Sequence, residues 1–575
     1  MRTENQRLLA SPFLLSLALS LFLWCYAILT TTIDRVPVSS FPILDMMPPV
    51  YWAGVVLLSG ATIIWLFSSN MRWYHFPLLL AWTLYIYIGP ELVEVTSRGF
   101  DATDHLFGVT AIELGRWEEW RYGWDGFYFL SSFIYKATGI GFYGLGKLMT
   151  IVLPLLRMVF VWYLASHLFQ GKKEIIFFSI LLIGSFWEGV SLDPSSQHLG
   201  LLMMLCIVAV CFSPRQHDMR RQSLIIMLFA GLILVHVLTP FVVALLITFF
   251  FVMSLTKRDF GYSQSVSGYT LGALFLVMFA AYLLFQVGGI FDDAARLLVN
   301  AIREPFGALQ DTREPFTIRS TYMAFGINLI WLFYGITLVW MIIITASKEF
   351  WRKLTIKKIF PLLCLIPLLP ILLAYGAASL PRFYILGVLF IVWFIVRGSR
   401  ALPRTVISCF LIVLLLLSFV ERYSLEYRNY VPSEEWTVST FIVDKIPTKD
   451  AVFRMPPWDP WVGSMANVYI TPLERPMVSY NSKVWRRPED IVVLGWADLP
   501  APSFGILSSR TRNSFRYFNG DEELSLVLMN CFGSERDVIY DSGDLQIYGY
   551  DYKPPVSLLP GGVIRGRPYS PPKDG

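Results

Sequence analysis

Runs of about twenty consecutive apolar residues recur from Ser11 to Val420 with only short polar breaks between them. A soluble interior has no room for so many. Crossing a hydrocarbon layer of roughly 30 Å takes about 20 apolar residues of helix, and in lipid every backbone N–H and C=O must find its partner within the segment. Helices are the form these runs can take. The chain is 575 residues long and 55% apolar, with a mean hydropathy of +0.55, so the surplus apolar surface has to face lipid. The spacing predicts spans at 11–33, 49–69, 74–90, 143–168, 175–191, 198–213, 222–236, 239–255, 269–287, 322–346, 359–378, 383–397 and 404–420, about thirteen in all. The expected fold class is therefore a polytopic α-helical membrane protein. After Glu421 the apolar runs stop.

The polar breaks alternate in charge. One set holds Arg2, Arg7, Arg72, Lys172, Lys173, Arg215, Arg220, Arg221, Lys257, Arg258, Lys348, Arg352, Lys353, Lys357, Lys358, Arg397, Arg400 and Arg404, with few acids among them. Such an excess marks the cytoplasmic side, which places the N-terminus in the cytoplasm and makes the chain a multi-pass protein of the cell membrane. It also accounts for the net charge of +5 without any nucleic-acid partner. The first apolar run continues through Thr30–Thr32 to Asp34 and Arg35 with no small-residue cleavage site, as a retained anchor would. Cys25, Cys206, Cys211, Cys364 and Cys409 fall in the spans and Cys531 stands alone beyond them. That pattern gives neither a disulfide framework nor a CxxC metal site.

Four units follow from these patterns. Residues 1–73 form a transmembrane hairpin. Residues 74–421 form a transmembrane module with long outer loops at 91–141 and 288–320. Residues 422–552, richer in Pro, Asp, Asn and Ser, read as a small extracytoplasmic α+β domain, with a helix at 432–445 and a hairpin turning at Ser542-Gly543. The tail 553–575, rich in Pro and Gly, reads as disordered. Within the first outer loop, Leu106, Val109, Ile112 and Leu114 approximate helical spacing up to Gly115. Trp117, Trp120, Tyr122, Trp124, Phe127 and Tyr128 then supply an aromatic belt, so two short interface helices are expected there.

Polar chemistry is expected at the outer end of the bundle. His105 follows Asp101 and Asp104, His198 follows Glu188 and Asp193, and His236 opens the tight turn His-Val-Leu-Thr-Pro240. Ionisable groups at a membrane boundary usually face the bundle interior or a wet cavity, so these turns would line one site. Each residue also has a plainer reading. Asp104 and Asp125 suit a helix cap or a solvated loop, and His198 and His236 suit satisfied residues at a helix end.

The stretch Gly99-Phe-Asp101 to Gly115, with a His four residues after the Asp, a helix-patterned segment and then Trp-rich sequence, resembles the first catalytic loop of the GT-C superfamily of membrane glycosyltransferases. That superfamily includes oligosaccharyltransferase catalytic subunits and the dolichyl- or other polyprenyl-phosphate-sugar-dependent transferases of archaeal and bacterial cell envelopes. The resemblance spans about residues 74–420 in topology and only these short motifs in sequence. It implies Asp101 as the catalytic-loop carboxylate and Asp193 as the second acidic motif. It further implies 288–320 as the loop that closes over the acceptor, and Arg382, in Leu-Pro-Arg-Phe-Tyr384, as the residue that holds the lipid phosphate. The turn at His236 is similar to one in archaeal members. Two departures stand out. There is no Trp-Trp-Asp-Tyr-Gly motif, against transfer to an Asn sequon, and Asp193 is single rather than paired, a thin ligand set for a cation.

The chemistry suits these residue types. A lipid-phosphate sugar already carries a good leaving group, so the protein has to activate an acceptor hydroxyl, hold the departing phosphate and exclude water. A carboxylate such as Asp101 serves as general base. The planar guanidinium of Arg382 matches phosphate oxygens, although an interfacial anchor is an equally natural role for it. Magnesium or manganese held by Asp101 and Asp193 would assist. Direct displacement by the acceptor, a glycan, lipid or protein, inverts the anomeric centre. The alternative is a membrane transporter or lipid flippase. Against it stands Arg157 as the one clear charge deep in a predicted span, with no repeat visible. A binding or scaffold protein is the third reading.

Overall fold

In the computed structural model, the described parts of the apolar runs are helical. The structure describes residues 2–423 apart from 34–40, 68–74, most of 95–124, 141, 186–194, 213–218, 237, 255–266, 287–320, 353–355 and 370–378, together with short strands between 451 and 565. In chain order the helices are α1 (Arg2–Thr30), α2 (Pro42–Met46), α3 (Pro49–Phe67), α4 (His75–Thr83), a π-helical turn (Leu84–Ile88) running into α5 (Gly89–Val93), α6 (Asp125–Thr138), α7 (Phe142–Leu168), α8 (Lys172–Gly184), α9 (Ser196–Cys211) and α10 (Met219–Val235). Then come α11 (Leu238–Ser254), α12 (Ser267–Gln286), α13 (Thr321–Ala346), α14 (Lys348–Arg352), α15 (Ile356–Leu363), a 3-10 turn (Ile366–Leu368), α16 (Ser379–Gly398), a second 3-10 turn (Ser399–Ala401) and α17 (Arg404–Tyr423).

The protein is membrane-embedded and helical. Among the described residues, Pro12–Thr30, Pro49–Phe67, Phe76–Val93 and Gly144–Leu168 are 4 helical stretches long and apolar enough to cross a bilayer. Shorter apolar helices such as Ser196–Cys211, Phe383–Gly398 and Arg404–Phe419 accompany them. Their outer surfaces are made for lipid, since Phe22 is 64% and Leu29 85% exposed on α1 alone. Hydroxyls inside the helices bond back to the carbonyl four residues earlier, as Thr62 does to Leu58, Thr83 to Leu79 and Ser179 to Ile175. No water is needed to satisfy them.

Small residues set the closest helix contact. Ser16 donates to the Leu57 carbonyl at 2.7 Å and Ser20 to the Gly54 carbonyl at 2.9 Å, which draws α1 onto α3. Aromatic rings fill the middle of the bundle. Phe212 meets Phe250 at 5.3 Å and Trp393 at 5.2 Å, and Trp340 stacks on Phe410 at 4.8 Å. Over its described part, residues 359–369, the expected span at 359–378 is a helix containing Pro361 that breaks ahead of Pro367. α15 ends at Leu363, and a 3-10 turn follows at Ile366–Leu368.

Beyond α17 lies a five-stranded sheet in the order β2-β1-β3-β5-β4, made by Met477–Ser479, Ala451–Arg454, Ser503–Ser508, Leu545–Tyr550 and Asp537–Asp541. β4 and β5 form the expected antiparallel hairpin, with a register shift between Val538 and Tyr540, whereas β1 pairs in parallel with both β2 and β3. A two-residue pair, β6 (Ser557–Leu558) with β7 (Ile564–Arg565), lies in the segment expected to be disordered. The expected helix at 432–445 and the loop 288–320 lie outside the described residues.

Candidate active site

The helix α4–α5 is stitched into the bundle through its π-helical turn. A π turn displaces backbone carbonyls from regular α-helical bonding, and side chains from three other helices donate to them. Trp24 of α1 donates to the Leu84 carbonyl at 3.2 Å, Tyr51 of α3 to that of Tyr85, and Tyr423 of α17 to that of Ile86 at 2.7 Å. Tyr87, in the same turn, donates to the Ile183 carbonyl of α8, and the Arg157 guanidinium sits 4.0 Å above its ring. Arg157 itself is buried in α7.

One turn further on, Glu91 and Arg422 form an ion pair at 3.0 Å with side chains only 2% and 3% exposed. Lys147, in the first two turns of α7, donates to the carbonyls of Glu91 at 2.5 Å and Glu94 at 2.8 Å, so the carbonyls at the end of α5 have a cationic cap. The Ile33 N–H reaches the Val93 carbonyl at 2.7 Å, and Ile33 bridges Glu94 in parallel. Glu94 is thus held by Lys147 on one side and Ile33 on another.

Two of the expected histidines lie on neighbouring segments of the bundle. His198 lies buried in the first turn of α9, and its backbone N–H bonds the Ser195 cap at 3.2 Å. His236 follows α10. Its Nδ1 accepts the Thr239 N–H at 3.2 Å and lies 2.8 Å from the Thr239 hydroxyl, so in the neutral ring the proton belongs on Nε2. A Cβ on Gly200 of α9 would come within 3.0 Å of the His236 Cβ, so the His236 turn rests directly on the α9 helix that carries His198. Leu145 and Met149 of α7 pack with Leu202 of α9, Phe127 and Tyr128 of α6, and Val109 from the segment between α5 and α6. Lys147 therefore stands between the Glu91–Arg422 pair and the histidine turn. α6 falls where the second of the two short helices was expected. It keeps Phe129, Leu130 and Phe133 exposed.

Of the residues named from sequence, His198 and His236 are described, and the His236 turn rests on the helix that carries His198. Arg382 stands in the first turn of α16, and its side chain lies outside the described residues, as do Asp101, Asp104, His105, Asp193 and Glu188 entirely. Among the described residues no group of three or more His, Cys, Asp or Glu side chains is placed to hold a metal ion, and Asp101 and Asp193 are not among them. The structure adds Glu91, Glu94, Lys147 and Arg422, which the sequence reading left unmarked. Their only signal in the sequence was position, at the very ends of apolar runs.

The fold defines a membrane-embedded helical protein with a buried charged frame at one end. No family model matches the chain, and no curated protein gives a significant match to it.

Proposed function

We propose that the chain is a multi-pass, outward-facing glycosyltransferase of the GT-C type. It moves a sugar from a polyprenyl-phosphate carrier to an acceptor, with Asp101 as general base and Arg382 on the donor phosphate. The observation that carries this reading is the frame beneath the Asp101 loop. Glu94, seven residues before Asp101, is held by Lys147 and Ile33, and Val109, eight residues after it, is buried against α6, α7 and α9. A loop fixed at both ends suits a group that must meet a reacting hydroxyl in one geometry. The His236 turn rests on α9, the helix that carries His198, and both histidines belong to this reading as further polar groups of the site. Asp193 and a divalent cation shared with Asp101 belong to this reading as assistance to the departing phosphate.

Transport or lipid flipping is the second reading, and a particular observation favours it. Glu91, Arg157 and Arg422 are all buried in apolar helices beside a π-helical turn, where ion or proton pathways are often built. The test that separates the two uses purified protein and a labelled polyprenyl-phosphate sugar. The transferase reading expects label in acceptor, with Arg382→Ala weakening donor use more than Arg382→Lys, because losing the charge-assisted contact costs about 1.5–3 kcal/mol. Label that crosses vesicle membranes without any transfer supports transport instead.

A further inference from the structure

The opposite end of the bundle carries a second constellation, unconnected with the transfer chemistry. There α8 begins, α16 ends and α17 begins, and these three segments bring Lys172, Lys173, Arg397, Arg400 and Arg404 to one corner. Among the described residues the carboxylate at this corner is Glu174, whose Oε1 lies 2.5 Å from Arg400. The charges of Arg400 and Glu174 both act on Arg397, which stacks at 4.9 Å over the Trp393 ring. Arg404 acts in the same way on Lys173, whose ammonium is pushed below its ordinary value by partial burial first and by that guanidinium second. Like charges drawn from separate segments repel one another, and one carboxylate offsets only part of that cost.

Alongside this corner the protein offers an apolar wall. Ile344, near the end of α13, fills the space above Gly398 at the end of α16, which sets the α13 terminus against the corner. α13 also exposes Leu338, Val339 and Ile342, and Trp351 of α14, exposed as well, donates its ring N–H to the Thr345 carbonyl. An amphipathic Trp at the end of an apolar helix marks the headgroup level of a bilayer. Cations at that level with acyl-chain surface beside them suit a lipid better than a free anion.

We propose that this corner is a binding site for an anionic membrane lipid. The headgroup phosphate is held among Lys172, Lys173, Arg397 and Arg404, and the acyl chains lie along the exposed face of α13. A phosphate placed there relieves the repulsion among the cations, and guanidinium forks give it directed hydrogen bonds.

Native mass spectrometry of the full-length detergent-purified protein, titrated with dioleoyl-phosphatidylglycerol or dioleoyl-phosphatidylcholine, tests the site. The wild type should retain phosphatidylglycerol in preference to phosphatidylcholine. Lys173→Gln with Arg404→Gln should lower that retention on the order of tenfold. The pair Lys257→Gln with Arg258→Gln, which removes the same charge from another basic break, should leave it unchanged. Lys173→Arg with Arg404→Lys keeps the charges and should keep the lipid, which separates binding from damage to the fold. Equal loss in the Lys257/Arg258 pair would reduce the effect to net charge and overturn the proposal. Equal retention of the two lipids by the wild type, or displacement of phosphatidylglycerol by inorganic phosphate at matched concentration, would do the same.

Discussion

Glu91 and Arg422 are 331 residues apart in the chain and 3.0 Å apart in the fold. Removing one partner leaves the other charge buried with its ion pair gone, a change that costs about 3–5 kcal/mol. We therefore expect Arg422→Ala to lower the thermal midpoint of the detergent-solubilised protein far more than Arg404→Ala, which removes an exposed arginine from the other end of the same helix. The double change Glu91→Gln with Arg422→Gln should recover part of the loss, since no lone charge then remains in the interior. Equal midpoints for Arg422→Ala and wild type would mean that the pair does not hold the frame. Hydropathy could not reveal this pair. A window that scores residues one by one ends its span at a charge, as the expected spans ending at 90 and 420 do, and cannot know that two distant charges neutralise each other. His236 was legible as a residue at a tight turn but not in its local role, because the bond from Nδ1 to Thr239 depends on how the turn closes.

At the level of elements, the N-terminal hairpin is tied to the site through its neighbours. Tyr85, in the π-helical turn, donates to the Ser20 carbonyl at 2.6 Å, and Ser20 in turn donates to Gly54. A Cβ at residue 54 would fall onto the Tyr85 hydroxyl, so Gly54→Ala must turn that ring out of its place. Such overpacking typically costs about 1–3 kcal/mol. Gly60→Ala on the same helix is the control. There the nearest atom to the new Cβ is the Ser16 hydroxyl at 3.9 Å, and the gain in helix propensity is up to about 1 kcal/mol. Thermal midpoints should move in opposite directions, and a matched response would show that α1 and α3 do not press on the π turn as the packing implies. Helix existence was legible wherever an apolar run was long and free of proline in its interior, as in α3 and α13. The π turn was not, since Leu84-Tyr-Ile-Tyr-Ile88 has no composition that distinguishes it from ordinary helix. In the sheet, the β4–β5 hairpin was legible from alternation around Ser542-Gly543, while the parallel strands Ala451–Arg454 and Met477–Ser479 are too short to show a period of two.

For the whole molecule, the functional reading depends on which side each end faces. The Lys and Arg asymmetry, together with an odd number of spans, predicts that the sheet domain lies outside the cytoplasm. Asp521→Cys in a Cys531→Ser background should react with a membrane-impermeant thiol reagent in intact cells, and labelling only after lysis would invert the topology. The two ends of the bundle then divide the work, with the Glu91 frame and the histidine turn beneath the proposed chemistry and the basic corner at the lipid headgroups opposite. The central claim, that Asp101 is the base of a sugar transfer, is tested most directly by turnover with a polyprenyl-phosphate sugar. Asp101→Asn keeps size and most hydrogen bonds but removes the proton acceptor. At matched protein levels and matched thermal midpoints, turnover should fall by about 10² to 10⁴, while Asp104→Asn, in the same loop, should change it little. Equal turnover in Asp101→Asn and wild type would contradict the account.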